Sequence, residues 1–421
     1  MRDSTSKSIA VIGAGIVGLS TALYLRKDGH AVSVIDHRPP GTATSFGNAG
    51  AIVTSAIEPT STPAVMRQVP RYLFDPASAL RVRWQYLPQI APWLIRFILE
   101  GRRSRVEHAA AALKPLLASA YAAHLELASL AGTADLLRPT GWLKLFRTRR
   151  GFEATALQRE LMDKHGIRYE VLEPAEIHQL EPHLARIFFK GLYHGDSASI
   201  KLPHRLVEGY ARALVNAGGS LVHEHVQDLK VLENGSVGLR CDLGMRQFDQ
   251  VVVAAGAWSK RFCRMVRDKV ALDTERGYHL TIEPGEAGEV RRPLCFPEDS
   301  FVLAPMQDGI RMTSGEELAG VDAPPDFTRI YRLLPKAREA LPGLSDRVTR
   351  EWMGRRPSTP DSLPVIGRSR KAPQVIYAFG HHHLGMTLGP ITGRLVAQLV
   401  RGGEPEIDLS PYDIGRFRLL S

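Results

Sequence analysis

The glycines of Gly13-Ala14-Gly15-Ile16-Val17-Gly18 limit what this chain can fold into more than any other feature of it. They follow Ile9-Ala10-Val11-Ile12, a short apolar run rich in β-branched residues, and precede a helical stripe made by Ile16, Leu19, Leu23 and Leu25. Arg26-Lys27-Asp28 and then Gly29 end that stripe, and Val32 to Ile35 supply a second strand that stops on Asp36. Strand, turn, helix, strand is a βαβ unit, which predicts a parallel sheet. Gly13 permits the tight turn, Gly15 lets backbone approach a pyrophosphate, and Gly18 lets the helix lie against the strand. Ile16 and Val17 open the helix whose N-terminus stabilises phosphate charge. Asp36, about 20 residues on, is placed to bind a pair of ribose hydroxyls, which disfavours a 2′-phosphate. The motif predicts dinucleotide binding and does not choose between NAD and FAD.

The chain has 421 residues, enough for two cores. At 44% hydrophobic and 23% charged it is not a disordered chain. From Ser8 to Leu25 there is no charge, with Arg2 and Lys7 ahead, as in a signal peptide. The fixed glycine spacing and the lack of a small-residue cleavage site before Arg26 argue against one, and against a membrane span. The net charge of +10 comes from scattered residues and short runs such as Arg102-Arg103 and Arg149-Arg150. No recognition motif accompanies them, so nucleic acid is not an expected partner; a basic face favours anionic lipid or an acidic substrate. Cys241, Cys263 and Cys295 form neither a zinc pattern nor a disulfide framework, which points to a reducing cytoplasm.

Further along, residues 77–132 read as helical, with Pro88 and Pro92 marking a start or kink. Trp84, Trp93, Leu94, Phe97 and Ile98 there fit a helix packed on a sheet or, alternatively, an amphipathic surface for membrane attachment. A strand is expected over 142–146, helices near 153–165 and over 202–217, and strands over 220–223, 237–241 and 250–255. Short strands over 278–282, 301–305 and 310–313 follow, the last two joined by the hairpin signature Gln307-Asp308-Gly309. Residues 375–398 return to strand, glycine turn, helix. The expected fold class is α/β: a Rossmann-like dinucleotide domain (residues 1–80, 191–270 and 341–421) with an interleaved antiparallel-sheet (α+β) substrate domain (81–190 and 271–340).

After Arg38 comes Thr44-Ser45-Phe46-Gly47-Asn48-Ala49-Gly50, a small-residue loop rich in hydroxyls and backbone donors. Together with the glycine turn it resembles the D-amino acid oxidase superfamily of flavoproteins, and especially the D-amino acid dehydrogenase branch. The branch's Ser-x-x-Asn-Ala-Gly loop is matched by Ser45, Asn48, Ala49 and Gly50. The resemblance implies FAD as cofactor, with Thr44 and this loop on the pyrophosphate and flavin. It also implies Asp36, His37 and Arg38 at the ribose and the backbone of Val226 at the adenine. Val251-Val252-Val253-Ala254-Ala255-Gly256-Ala257-Trp258-Ser259 resembles the family's second dinucleotide signature, which sets Ala255, Gly256 and Trp258 beside the cofactor. From the residues alone that run is a core strand with a glycine cap. With no Ser-His pair in the early loop and no cysteine beside the late glycine motif, the flavin is expected to be non-covalent.

Gly354-Arg355-Arg356-Pro357, with Asp361, Pro364 and Gly367 behind it, resembles the family's Gly-x-Arg-Pro element, whose arginine holds the substrate carboxylate. The match is Arg356, with Arg355 as the alternative; a guanidinium offers the planar fork of donors that a carboxylate needs. Gly380-His381-His382-His383-Leu384-Gly385-Met386-Thr387 resembles the family's Gly-His-Gly-x-x-Gly-x-Thr element. That resemblance places His381, His383, Leu384, Gly385, Met386 and Thr387 at the flavin. Successive residues on a strand point to opposite faces and no carboxylate or cysteine is near in sequence, so the three histidines are not expected to bind metal. The helix that follows would aim its N-terminus at the negative charge that reduction builds around flavin N1 and the C2 carbonyl. His382 departs from the family's glycine, and a side chain there would narrow the pocket or contact substrate. Tyr278, in Arg276-Gly277-Tyr278-His279, either binds the substrate carboxylate or is a core tyrosine; some relatives with imino-acid substrates resemble this segment.

The expected activity is FAD-dependent oxidative deamination of a small D-amino acid, by hydride transfer from the α carbon to flavin N5. Alternatives are a D-hydroxyproline (cyclic imino acid) dehydrogenase and a glycine or sarcosine oxidase. A dinucleotide-binding redox sensor is the non-enzyme alternative, and it would not need Arg356. No acid–base residue is required if the ammonium proton leaves before binding. The expected partners are a small amino or imino acid and an acceptor: a quinone, an electron-transfer protein or dioxygen. The expected location is the cytoplasm, or the inner face of the membrane as a peripheral protein.

Overall fold

The structure is a computed structural model that describes residues 6–66 and 80–420. The start of the helix expected over 77–132 lies outside these residues, as does Arg2. Within them, Ser220–Val222, Ala31–Ile35, Ser8–Ile12, Gln250–Val253 and Val375–Phe379 lie side by side as a parallel sheet, and Val365–Arg368 closes one edge antiparallel. Alternation along Ser8–Ile12 explains its central place. Ile9 and Val11 join Leu19, Leu23 and Leu395 on one face, while Ala10 and Ile12 join Leu229, Leu239 and Phe379 on the other. A parallel sheet is covered on both faces, so its central strand carries apolar residues throughout.

Helices Ile16–Lys27, Arg103–Leu130 and Gly385–Arg401 cover the first face. The first and last of these run parallel and very close. A β-carbon at Gly389 would lie 2.8 Å from Ile16 Cγ1, and one at Gly393 2.6 Å from the Ser20 carbonyl carbon. Their N-termini therefore emerge side by side. The meander Asp228–Val231, Val237–Cys241 and Gly244–Phe248 covers the other face.

The second body is a nine-stranded sheet in the order Val348–Ser358, Asp273–Ile282, Gly309–Leu318, Phe301–Met306, Leu294–Phe296, Trp142–Phe146, Lys190–His194 and Glu170–Leu172. Its ninth strand, Leu80–Val82, pairs with Gly309–Leu318. Leu143, Leu280, Leu294, Phe296, Leu303 and Met312 form its core.

Several elements differ from expectation. Residues 80–130 are not one helix: Leu80–Val82 is a strand, and two helices, Leu87–Glu100 and Arg103–Leu130, meet at Gly101-Arg102. The helix near 153–165 is split into Arg149–Glu153, whose Thr148 side chain caps Gly151 N, and Ala156–Lys164. Asp273–Ile282 and Gly309–Leu318 run longer than the strands expected there, because polar residues that line a cavity interrupt the apolar pattern. Val348–Ser358 has no strand-like alternation at all and forms through its ladder with Asp273–Ile282. It and Lys190–His194 hydrogen-bond into the larger sheet, although the expected boundaries put the first, and residues 191–194 of the second, in the dinucleotide domain.

Candidate active site

A cavity of about 1050 Å³ lies between the carboxyl ends of the parallel strands and the nine-stranded sheet. The carboxyl ends are where open α/β sheets take ligands, because turns of special backbone geometry meet helix N-termini there. Gly13 has φ +113°, and a β-carbon on it would strike the Ala254 carbonyl oxygen; one on Gly18 would strike Gly13 O. The amides of Gly15 and Val17 have no hydrogen-bond partner among the described residues, whereas Ile16 N donates to Ser45 Oγ at 3.1 Å. Two free amides at a helix N-terminus, in a cradle that only glycine leaves open, fit a pyrophosphate.

Asp36 accepts from Ala14 N and Arg38 N, both at 2.9 Å, which fixes the carboxylate at the cavity edge with lone pairs to spare for hydroxyls. His37 stands edge-on to His225, their centroids 5.3 Å apart. Arg38 lies over the Trp258 ring at 4.8 Å. Ala255 and Gly256 line the same end of the cavity, as does Val226, although the Val226 carbonyl accepts a hydrogen bond from Arg261. The 44–50 loop is held from several sides. Thr44 Oγ1 donates to Arg355 O at 2.8 Å, Asn48 Oδ1 accepts from Gly50 N at 2.8 Å, and buried Arg311 donates to the Phe46 and Asn48 carbonyls. Ala49 lines the cavity, and Gly50 has φ +63° against Ile200 O. These residues fit FAD: amides for the pyrophosphate, a carboxylate for the ribose, and a second helix N-terminus for the flavin.

That second N-terminus is Gly385–Arg401, with Leu384, Gly385, Met386 and Thr387 on the cavity wall. Thr387 Oγ1 donates to Ala51 O and accepts from Val53 N. Beneath it, fully buried His124 meets Met386 O at 2.8 Å, and burial pulls its imidazole down to about 4, so it stays neutral. The three histidines diverge. His381 is buried against Thr392 Oγ1 at 2.9 Å and pulled down to about 3 by burial. His382 is buried at the cavity wall, its Nε2 2.8 Å from Oε2 of Glu275, another lining residue. His383 projects into the cavity with Nδ1 2.7 Å from His382 Nδ1; the surrounding protein and the neighbouring His382 hold it well below its ordinary value. His382 has φ +53°, which explains why a glycine suits this position. The substrate contact expected from His382 is thus taken by Glu275.

On the facing sheet, Arg356 lies across Gly277, where any β-carbon would collide with its guanidinium, and Nη1 donates to Gly315 O at 3.1 Å. Arg355 points elsewhere, its Nε on Val321 O and its guanidinium 5.8 Å from the Trp258 ring. Tyr278 edges onto the cavity wall, but its hydroxyl donates to Glu317 at 2.5 Å and accepts from Asp326 N. The bond expected from it to a substrate carboxylate goes to the protein instead.

Nothing in the sequence pattern marked Glu58, Trp142, Lys144, Glu275, Glu316 or Trp352, all of which line the cavity. They come from several separate strands and one loop, which the tertiary fold alone brings together. Burial pushes the Glu58 carboxyl up, with Lys144 opposing. Burial works upward on Glu275 too, but the charge and hydrogen bond of His382, with Arg356, bring it below the usual carboxylate range.

Residues 8–399 match the family described as FAD dependent oxidoreductase (DAO). The chain is 36% identical to the D-amino-acid oxidase of Bradyrhizobium diazoefficiens, over 98% of this chain and 99% of that one. It is 31% identical to the D-amino acid dehydrogenase of Paramagnetospirillum magneticum, over 97% and 98% respectively. Its fold is similar to that of glycine oxidase from Geobacillus kaustophilus, with a TM-score of 0.77 over 98% of this chain and 99% of that one. At 21% identity that likeness speaks to the fold alone.

Proposed function

This chain belongs to the FAD-dependent oxidoreductase family, and on that premise we propose that it oxidises a D-amino acid at the carbon bearing the amino group. The observation that carries the reading is Arg356, a guanidinium lining the cavity with, among the described residues, a single hydrogen bond, on Gly315 O. A planar fork with donors to spare is suited to a carboxylate. The names of the two sequence relatives supply the D-amino acid. FAD, when bound, accepts the two electrons and the hydrogen of the α-carbon–hydrogen bond. The chain's own part is to hold that bond toward the flavin, with the carboxylate on Arg356 and water kept out by Trp142, Trp352 and the buried sheet. The oxidised product is an imino acid, which water converts to a keto acid and ammonium.

A cyclic imino acid is the weaker reading. Its support is the Tyr278 segment, and the Tyr278 hydroxyl binds Glu317. A membrane-borne acceptor draws support from the helix Leu87–Glu100. Trp93 and Phe97 line the cavity on one side of it, while Ile95, Ile98 and Leu99 are exposed on the other. No helix among the described residues is long and apolar enough to cross a membrane. Attachment would be peripheral, and co-sedimentation with anionic vesicles tests it.

The central test is Arg356→Ala. The variant should keep the yellow flavin spectrum and lose affinity for D-amino acids in anaerobic flavin bleaching. Unchanged turnover would remove Arg356 from the carboxylate role. Bleaching by L-amino acids alone would overturn the stereochemistry.

A further inference from the structure

Two carboxylates stand beside Arg356, and among the described residues one of them has a partner and the other none. Glu275 faces Arg356 across the ladder and meets His382 at 2.8 Å. Glu316 comes from the neighbouring strand, one residue after the Gly315 carbonyl that Arg356 binds. Strand alternation sets its direction. Glu317 pairs with Arg276 on the back of the sheet, where it meets Arg276, Arg83 and the Tyr278 hydroxyl. Glu316 is therefore turned to the front and into the cavity. It lies deep in the molecule, and the surface it exposes is exposed to that cavity. No hydrogen bond or ion pair holds its side chain among the described residues. The charged groups that act on it from adjoining elements are Glu275, Arg356 and His382.

We infer that Glu316 receives the ammonium group of the substrate and takes its proton. The inference rests on the reading that Arg356 holds the carboxylate. In an α-amino acid the carboxylate carbon and the nitrogen share one carbon atom, so a carboxylate seated on Arg356 brings the ammonium beside Gly315 and its successor. Charge matching gives the same assignment: of the two carboxylates beside Arg356, Glu275 has His382, and Glu316 is the one left without a partner among the described residues. In the transfer an N–H bond of the ammonium breaks, its electron pair stays on nitrogen, and an O–H bond forms on Glu316. The neutral amine then supplies that lone pair to form the C=N bond as the α hydrogen leaves with its two electrons for the flavin. Burial, reinforced by the negative charge of Glu275 and only partly offset by Arg356 and His382, pushes the Glu316 carboxyl up. A carboxyl so raised is a better proton acceptor for an ammonium than an ordinary one.

The experiment compares FAD-loaded wild type with Glu316→Gln and Glu316→Asp, using two ligands. Propionate carries the carboxylate alone, and D-alanine carries both groups. Propionate binding, read from the perturbed flavin spectrum, should stay within about twofold in E316Q, since Arg356 is untouched. Apparent affinity for D-alanine, from saturation of anaerobic bleaching, should fall about tenfold or more. The bleaching rate at neutral pH should fall roughly 100-fold. That rate should recover as pH rises toward the range where the substrate amine deprotonates in solution, and E316D should restore part of it at neutral pH. Equal losses for propionate and D-alanine would overturn the assignment, as would an unchanged pH profile. So would a loss confined to substrates with basic side chains. Arg356→Ala run in parallel separates the two readings. Propionate binding lost in R356A and kept in E316Q supports both, whereas propionate binding kept in R356A overturns the Arg356 role and, with it, that of Glu316.

Discussion

The two walls of the cavity offer a ligand different chemistry. The parallel-sheet wall works mostly with backbone: the Gly13 turn, the free amides of Gly15 and Val17, and two helix N-termini side by side. The nine-stranded wall works with side chains: Arg356, Glu275, Glu316, Lys144 and Trp142, each from a strand of the sheet. Backbone recognition depends on where a side chain is forbidden, so it tolerates little change and suits a cofactor that never varies. Side-chain recognition depends on charge and reach, so it can be adjusted one residue at a time to suit a substrate.

The largest effect expected from breaking this contrast is on the backbone wall. Gly13→Ala places a β-carbon against the Ala254 carbonyl at φ +113°, where backbone strain costs about 1–3 kcal/mol. The flavin-to-protein absorbance ratio should fall at least about tenfold, and no substrate should then bleach what remains at a normal rate. On the other wall, Arg356→Lys keeps the charge and removes the planar fork. It should lower kcat/KM roughly 10- to 100-fold with the flavin content unchanged. Flavin loss in this variant would show that the two walls are not independent.

His382 joins the walls, and its replacement by glycine separates strain from charge. Removing His382 takes the partner from the buried Glu275 carboxylate, which costs about 3–5 kcal/mol, against about 1 kcal/mol returned by relieving a left-handed non-glycine residue. The net is a lower Tm. Glu275 is held below its usual range in the folded protein, so its stabilising contribution is complete above the unfolded carboxylate value and is lost as pH falls through the folded one. The Tm gap between wild type and H382G should therefore be widest near neutral pH and shrink in acid. A gap independent of pH would mean that the pair carries no net electrostatic stabilisation.

The smallest effect is expected at Tyr278. Tyr278→Phe loses two hydrogen bonds, the one to the Glu317 carboxylate and the one from Asp326 N, together about 2 kcal/mol of stability by thermal denaturation. KM should stay within about twofold. A large rise in KM would return Tyr278 to the substrate.

How far each wall could be read from sequence follows from the same contrast. The Gly13 to Gly18 turn, Asp36 and the 44–50 loop occupy one continuous stretch, and their requirements are local: a positive φ, a close approach, a helix start. Arg356 was found through the short element around it, and the late glycine run through the helix it begins. Glu275 and Glu316 were invisible because each sits among ordinary polar residues. Tyr278 and His382 were legible as residues near the site but not in their direction. One bulge between Arg276 and Tyr278, and one left-handed turn at His382, aim the first at Glu317 and the second at Glu275.

The sequence by itself determined the dinucleotide cradle, since a backbone conformation open only to glycine is written in the residues that adopt it. The tertiary structure alone decided which charges meet. Register between separate strands brought Glu275, Glu316 and Arg356 to one wall, the turn at His382 gave the first a partner and the second has none among the described residues, and no local pattern encodes that pairing.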